Sequence, residues 1–410
     1  MRVTLVVNRQ DAVSETFQRS LASVLATDGH EVTVHSLRAG TGPVPQVEGV
    51  GTSTGLPPLR VRSASVALGR LIRSPNHGLA TAARRALAEY GLSARAVRAA
   101  LGAGPLIDTR PDVIHLGFSG VGVALADALA LVPEPRLVVS CRGTDELVHP
   151  VLDPERAAGL SALLGRVDLV HVVAGVVRDA VVVLGAPADR IRVIRPAVDL
   201  ERWTPRRAGP DGPGLQLVAV ARLQPAKGLD DLIGAVASIR ESGTDARLRI
   251  VGDGPHRDAL RLRILRSQLG GTVTLVGPLP PAAVRDEVSR ADVFVSASLT
   301  EGISNVVLEA MATGVPVIST AVGGMAEVIH HDVDGWLVPS GRPDRLAAAL
   351  EFADRHPERR AVVAAAGRRR VEEAFALERQ RDELVALYRE LGAADLTGPS
   401  RRLAAREDRR

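Results

Sequence analysis

The feature that most limits the fold is an alternation of short apolar runs with stretches of helical periodicity, and it occurs twice. In the first half, strands are expected at 2–7, 31–36, 112–116, 136–141, 168–173 and 191–195, with helices at about 15–28, 120–131, 153–164 and 175–184. The second half repeats the scheme, with strands at 215–221, 247–251, 272–276, 292–296, 315–319 and 335–338. Its helices are expected at 228–241, 255–267, 281–289, 304–313, 324–330 and 343–355. Strands alternating with helices imply parallel sheets joined by crossover connections. The expected fold class is therefore α/β, with two Rossmann-like doubly wound parallel-sheet domains. Such sheets bind ligands beyond the carboxyl ends of their strands, and a hinge between two of them would place a cleft there.

The Pro- and Gly-dense stretch from Trp203 to Gly214 reads as the linker. The expected division is a first domain over 1–200, a linker over 201–214 and a second domain over 215–375. A helix over 376–396 is expected to return to the first domain, followed by a flexible tail over 397–410. Residues 38–58 are rich in Gly, Pro and Ser and read as a loop. Residues 60–104 carry Arg60, Arg62, Arg70, Arg73, Arg84, Arg85, Arg95 and Arg98 against one acid, Glu89, with apolar residues at helical intervals. Two readings stand: a basic amphipathic surface for an anionic membrane leaflet, or a solvated helical face in an arginine-biased chain.

Composition excludes several classes. Aromatic residues are 2% of the chain, too few for nucleic-acid stacking platforms, so no nucleic-acid partner is expected. The single cysteine, Cys141, cannot form an internal disulfide and fits a reducing compartment. No basic-then-apolar leader and no long uncharged apolar run is seen, so a cytoplasmic location is expected; under the first of the two readings of the arginine-rich segment, it is peripheral on the inner face of the membrane. No G-x-G-x-x-G follows the first strand of either half, which disfavours a dinucleotide-dependent dehydrogenase.

Of 51 basic residues, Lys227 alone is lysine. Arginine bias can replace a solvated lysine freely, but not one whose compact ammonium is needed. Lys227-Gly228 lies in the turn that opens a helix, five residues after Arg222. Two cations beside a helix amino terminus form a diphosphate site. Gly252 and Gly277 mark two further tight exits from strands. The strongest segment runs from Ser298 to Pro316. It contains Glu301, Gly302, Ile303, Ser304, Asn305 and Val306 in a loop-to-helix turn, with Ser304 as expected N-cap and Glu309 eight residues after Glu301. Carboxylates at both ends of such a turn suit sugar hydroxyls, and the amides between them suit phosphate.

With Arg222, Lys227-Gly228, the Glu301–Glu309 pair and Gly323-Gly324-Met-Ala-Glu327 in place, the chain resembles the retaining glycosyltransferases of family four, which have the GT-B fold. In the first half, Val13-Ser14-Glu15-Thr16-Phe17, the strand end at His115, Ser140-Cys-Arg142-Gly143-Thr-Asp145 and Ile194-Arg-Pro196 resemble the branch that builds exopolysaccharide and colanic-acid-type glycans. The resemblance implies transfer of a hexose from a UDP- or GDP-sugar to a glycan, lipid-linked or small-molecule acceptor, with retention, no cofactor and no required metal. By the same resemblance the first domain takes the acceptor and the second the donor. Arg222 and Lys227 would hold the diphosphate, Glu301 the donor sugar and Glu309 the ribose, with Gly302 to Val306, Gly228, Gly252 and Gly277 lining the donor. His115 and Arg142 are the expected catalytic contributors from the first half, and Ser14 and Glu15 its expected substrate contacts. Stabilising the departing diphosphate is the main electrostatic task in such a transfer.

One departure stands out. Many members carry His-x-His where this chain has His115-Leu116-Gly117. His115 has a second reading, as a buried strand-end histidine satisfied by backbone, and Arg142 stands where relatives have a histidine before glycine. The missing histidine also keeps open a non-catalytic nucleotide-sugar-binding protein on the same fold. A pyridoxal-phosphate lysine is disfavoured by the position of Lys227 in a loop.

Overall fold

The computed structural model describes residues 1–8, 16–38, 49–54, 63–205 and 212–393. They form two compact units. The first holds Met1–Val172, Arg178–Ile194 and the chain from Arg381; the second holds Val173–Val177 and Arg195–Gln380. Ser14, Glu15, Arg60, Arg62, the centre of the expected linker and the tail over 397–410 lie outside the described residues. No helix among the described residues is long and apolar enough to cross a membrane.

The first unit is built on seven parallel strands: β1 (Arg2–Val7), β2 (Glu31–Ser36), β3 (Val50–Thr54), β4 (Val113–Leu116), β5 (Arg136–Cys141), β6 (Leu169–Val172) and β7 (Ile191–Val193). Their order is β3-β2-β1-β4-β5-β6-β7, so the direction of winding reverses between β1 and β4. β3 corrects the reading of 38–58 as loop throughout. It is an edge strand, Val-Gly-Thr-Ser-Thr, held by main-chain pairing to β2 and lacking the apolar run that betrays a strand in a sequence. The core joins Val3, Leu5 and Val113 of the sheet to Phe17, Leu21 and Leu25 of helix Thr16–Thr27. Leu384, Leu387, Tyr388 and Leu391 of the final helix, Leu377–Ala393, complete it.

Three helices fill the arginine-rich segment: Ala64–Ile72, His77–Tyr90 and Ala94–Asp108. Ser63, Asn76 and Ser93 cap their starts by accepting the amide three residues on. Their apolar residues are turned inward: Ala80, Ala83, Ala86, Ala96, Ala100 and Leu106 are buried. Acids from a later stretch offset part of this charge. Arg95 pairs with Asp127, 2.7 Å away, and Arg85 pairs with Glu134, also at 2.7 Å. Arg70, Arg73, Arg84 and Arg98 remain exposed.

A buried polar chain crosses this unit. Tyr388 Oη lies 2.6 Å from His115 Nδ1, His115 Nε2 lies 2.8 Å from Ser140 Oγ, and Ser140 Oγ lies 2.8 Å from His171 Nδ1. His171 Nε2 reaches the Ile194 carbonyl at 3.0 Å. A carbonyl only accepts, so His171 Nε2 carries the proton and its Nδ1 accepts from Ser140. Ser140 then accepts from His115 Nε2, and Tyr388 donates to His115 Nδ1. Both imidazoles are neutral: burial pulls His115 down to about 3 and His171 to about 4.

The second unit carries six parallel strands: β8 (Leu215–Val220), β9 (Ala246–Val251), β10 (Val273–Gly277), β11 (Val293–Ser296), β12 (Val317–Thr320) and β13 (Trp336–Val338). Their order is β10-β9-β8-β11-β12-β13, with the reversal between β8 and β11. Leu217, Leu248, Val293 and Ile318 from the sheet pack with Leu232, Ile233 and Val236 of helix Leu229–Glu241. Helix Pro357–Ala374 is absent from the sequence reading. Five arginines and three glutamates break up its apolar pattern, and few of its residues, such as Val363 and Val371, are buried apolar ones.

Candidate active site

At the reversal point of the second sheet, the loops leaving β8 and β11 part around a small depression. Ala219 to Ala221 and Val295 to Ser298 form its floor, and Lys227, Glu301, Ser304 and Val306 stand around it. This is the crevice where doubly wound sheets take ligands.

Local chemistry explains how the loop after β8 reaches it. Pro225–Lys227 makes one tight turn, and Gly228 follows at φ 60, ψ 24. A Cβ at Gly228 would lie 1.9 Å from the Ala297 carbonyl oxygen, so only glycine lets this turn rest on the β11 exit. The Leu299 amide donates to the Ala226 carbonyl at 2.8 Å and stitches the two loops together. Lys227 Nζ consequently donates to the Glu301 carboxylate. Ser298 Oγ donates to the same carboxylate oxygen at 2.9 Å. Both charged side chains are partly exposed, Lys227 by 26% and Glu301 by 15%, so a ligand can reach them. Beneath them, Thr320 Oγ1 donates to the Ser298 carbonyl at 2.6 Å, and the Gly324 amide to the Gly302 carbonyl at 2.6 Å.

The helix Asn305–Ala312 starts at the depression. Ser304 occupies the N-cap position as expected, but its hydroxyl makes no capping hydrogen bond. The Val307 and Leu308 amides donate to the Ser304 carbonyl at 3.2 and 3.3 Å, which leaves those of Asn305 and Val306 for another acceptor. Asn305 Oδ1 is buried without a partner, and Gly302 and Ile303 are buried in the loop. Glu309, one turn further on, is half-buried and no described residue hydrogen-bonds its carboxyl. Burial pushes it up to about 7, opposed by Arg202. Arg222 is exposed just beyond β8. Gly252 and Gly277 meet at their strand exits, the Gly252 amide donating to the Gly277 carbonyl at 2.9 Å. Glu327 accepts from the Gly175 amide at 2.6 Å and from Arg195 Nη2 at 2.6 Å, all three within the second unit.

Of the residues expected to act from the first half, His115 lies inside the first unit. It has no exposed area and both ring nitrogens are taken, by Tyr388 and Ser140. Those partners are side chains, which corrects the alternative of backbone satisfaction. Gly117 is explained by Gln18, whose Nε2 donates to the Gly117 carbonyl at 3.0 Å. A Cβ at position 117 would stand 2.2 Å from that nitrogen, so the glutamine amide fills the room a side chain there would need. Arg142 lies at the end of β5 with its guanidinium over Phe17. Ser298 and Gln18 carry no signal of their own in the sequence, since a serine in a loop and a glutamine in a helix fit many roles. Among the described residues no group of three or more His, Cys, Asp or Glu could hold a metal ion.

Two family models match this chain: "Glycosyltransferase Family 4" over residues 14–202 and "Glycosyl transferases group 1" over residues 204–370. WcaL of Escherichia coli (strain K12), whose name places it in colanic acid biosynthesis as a glycosyltransferase, is 33% identical over 294 residues, 69% of this chain and 71% of WcaL. The amylovoran biosynthesis glycosyltransferase AmsK of Erwinia amylovora is 30% identical over 246 residues, 58% of this chain and 60% of AmsK. Among solved structures, sucrose-phosphate synthase from Thermosynechococcus elongatus matches with a TM-score of 0.75 at 21% identity, over 96% of this chain and 99% of that one. Anabaena HepE in complex with UDP-glucose matches with a TM-score of 0.71 at 18% identity, over 95% and 100%. Paired family models, relatives at this identity and two parallel α/β sheets agree: the chain is a glycosyltransferase of family 4 with the GT-B fold.

Proposed function

We propose that the chain transfers a hexose, with retention, from a UDP- or GDP-sugar to a glycan or lipid-linked acceptor, and needs no metal. The observation that carries this reading is the Lys227–Glu301 contact at the reversal point of the second sheet, beside the uncapped amino terminus of helix Asn305–Ala312. Ammonium and carboxylate satisfy each other across the two loops. A nucleotide-diphosphate sugar offers each a better partner: phosphate oxygens for Lys227, sugar hydroxyls for Glu301. Ser298 then keeps Glu301 oriented.

As the anomeric bond breaks, negative charge grows on the departing diphosphate. Lys227, Arg222 and the Asn305 and Val306 amides at the helix start stabilise that charge more in the transition state than in the ground state. Glu309 serves the ribose hydroxyls from further along the helix. The names of WcaL and AmsK support a surface-glycan product, and UDP-glucose bound to HepE supports a nucleotide-sugar donor. Contact with an anionic membrane would fall on exposed Arg70, Arg73, Arg84 and Arg98.

The test is incubation of the purified chain with UDP- and GDP-hexoses and an acceptor panel, with the product anomer read by NMR. Transfer with the donor configuration kept supports the reading. Donor binding without product from any acceptor would point to a nucleotide-sugar-binding protein instead, and an inverted anomer would overturn retention.

A further inference from the structure

Arg142 directly follows β5, at the carboxyl edge of the first sheet, and Gly143 then turns the chain at φ 129. The guanidinium carbon sits 4.0 Å from the centre of the Phe17 ring, and Phe17 is itself 7% exposed. The Arg142 side chain forms no hydrogen bond or ion pair with any described residue, and its Nη1 is shut off from solvent without a partner. The acid that acts on it, Glu146, is engaged elsewhere: one oxygen takes the Ser119 hydroxyl and the other takes the Gly143 amide at 2.8 Å. His115 and His171, which feel its charge, are neutral and saturated within their own chain of hydrogen bonds.

An arginine cannot escape burial by losing its proton, so buried guanidinium is normally paired. Burial does pull Arg142 down, to about 10, still charged at neutral pH. At the carboxyl end of the neighbouring strand β4, and next in sequence to Phe17, Gln18 is 4% exposed. Its Nε2 is committed to the Gly117 carbonyl, and its Oε1 is buried without a partner. The first unit therefore holds an unmet donor and an unmet acceptor near the point where its own sheet reverses. A guanidinium laid on an aromatic face keeps its N–H edge free, and that edge matches carboxylate or phosphate geometry.

We propose that Arg142 binds an anionic group, carboxylate or phosphate, carried by the sugar acceptor, while Gln18 Oε1 takes a neighbouring hydroxyl. The proposal rests on the transferase reading above and adds to it the chemical class of the acceptor: an acidic sugar.

Calorimetric titration of the full chain with glucuronate, glucose 6-phosphate and glucose tests this, because the three differ at C6. One or both acids should bind at least about tenfold more tightly than glucose. Glucuronate alone would assign a carboxylate, glucose 6-phosphate alone a phosphate. Arg142→Met, which keeps an apolar side chain against Phe17, should erase the difference, and Arg142→Lys should keep part of it. If the methionine variant lacks a cooperative melt, Arg142→Gln takes its place. Equal affinity for all three sugars, no binding of any, or a preference that survives without the guanidinium would overturn the proposal. UDP and GDP titrations of the same wild-type protein separate the two readings. A chain that binds nucleotide but does not favour the acids refutes this inference and leaves the transferase reading standing.

Discussion

Lys227 and Glu301, 74 residues apart in the chain, meet in a hydrogen bond that joins the loops leaving β8 and β11. The two loops come from neighbouring strands at the reversal of the sheet, so the meeting follows from topology. Removing the ammonium should therefore damage the site more than the fold. Lys227→Ala is expected to lower turnover by about 10²–10³-fold, the range seen for a single preorganised charge stabiliser. The melting temperature should move by no more than about 2 °C, because the pair is partly exposed and worth roughly 1 kcal/mol or less. Lys227→Arg should also be impaired, since a planar fork does not reproduce a point charge in a tight turn. Steady-state kinetics on both variants, with thermal melts as control, check this. Wild-type turnover in either would remove Lys227 from the mechanism.

Glu309 gives a pH signature. Its carboxyl is raised to about 7 by burial, against an ordinary value near 4.5. A raised acid favours folding fully below its unfolded value, and that contribution is lost as pH climbs from about 4.5 through 7. Glu309→Gln should hence be more stabilising at pH 8 than at pH 4.5, by a few degrees in melting temperature. If the ionised carboxylate accepts the ribose hydroxyls, wild-type affinity for nucleotide should also rise between pH 6 and pH 8. The glutamine variant should show a flat profile. A stability difference independent of pH would contradict the raised value.

Tyr388 tests the polar chain. Tyr388→Phe leaves His115 Nδ1 buried without its donor, at a cost of about 1–3 kcal/mol. Chemical denaturation should register the loss. His115→Ala should destabilise comparably or more and should not abolish nucleotide binding. Abolished binding in a folded His115→Ala protein would place the histidine in the functional set.

Membrane contact can be read at Arg84 and Arg98, which are exposed, whereas Arg85 and Arg95 are tied to Glu134 and Asp127. Arg84→Glu with Arg98→Glu should weaken co-sedimentation with phosphatidylglycerol vesicles by several-fold at low salt. Unchanged sedimentation would dismiss that surface.

The alternating pattern made both sheets legible, because strands covered on two faces leave mostly apolar runs such as Val3 to Val7, broken only by Thr4, and Leu215 to Val220, broken only by Gln216. The Lys227–Glu301 meeting was legible through its loop chemistry. Other features left no trace in a single sequence. β3 pairs through its backbone, and helix Pro357–Ala374 buries little apolar surface. Asp127 and Glu134 neutralise arginines far upstream, so a local count of charge misleads. The pairing of Gln18 with Gly117, and of His115 with Tyr388, depends on which strands lie side by side, and neither partner advertises the other.

The place of the last helix in the first core has a consequence for synthesis. Leu384, Leu387, Tyr388 and Leu391 leave the ribosome after every strand of the second sheet, yet they close the core begun by Val3 and Leu5. The opening domain must therefore wait, unfinished, while the whole second domain is made. Until Tyr388 arrives, His115 lacks its donor and one wall of apolar side chains stays bare, a long interval in which a nascent chain invites chaperones or aggregation.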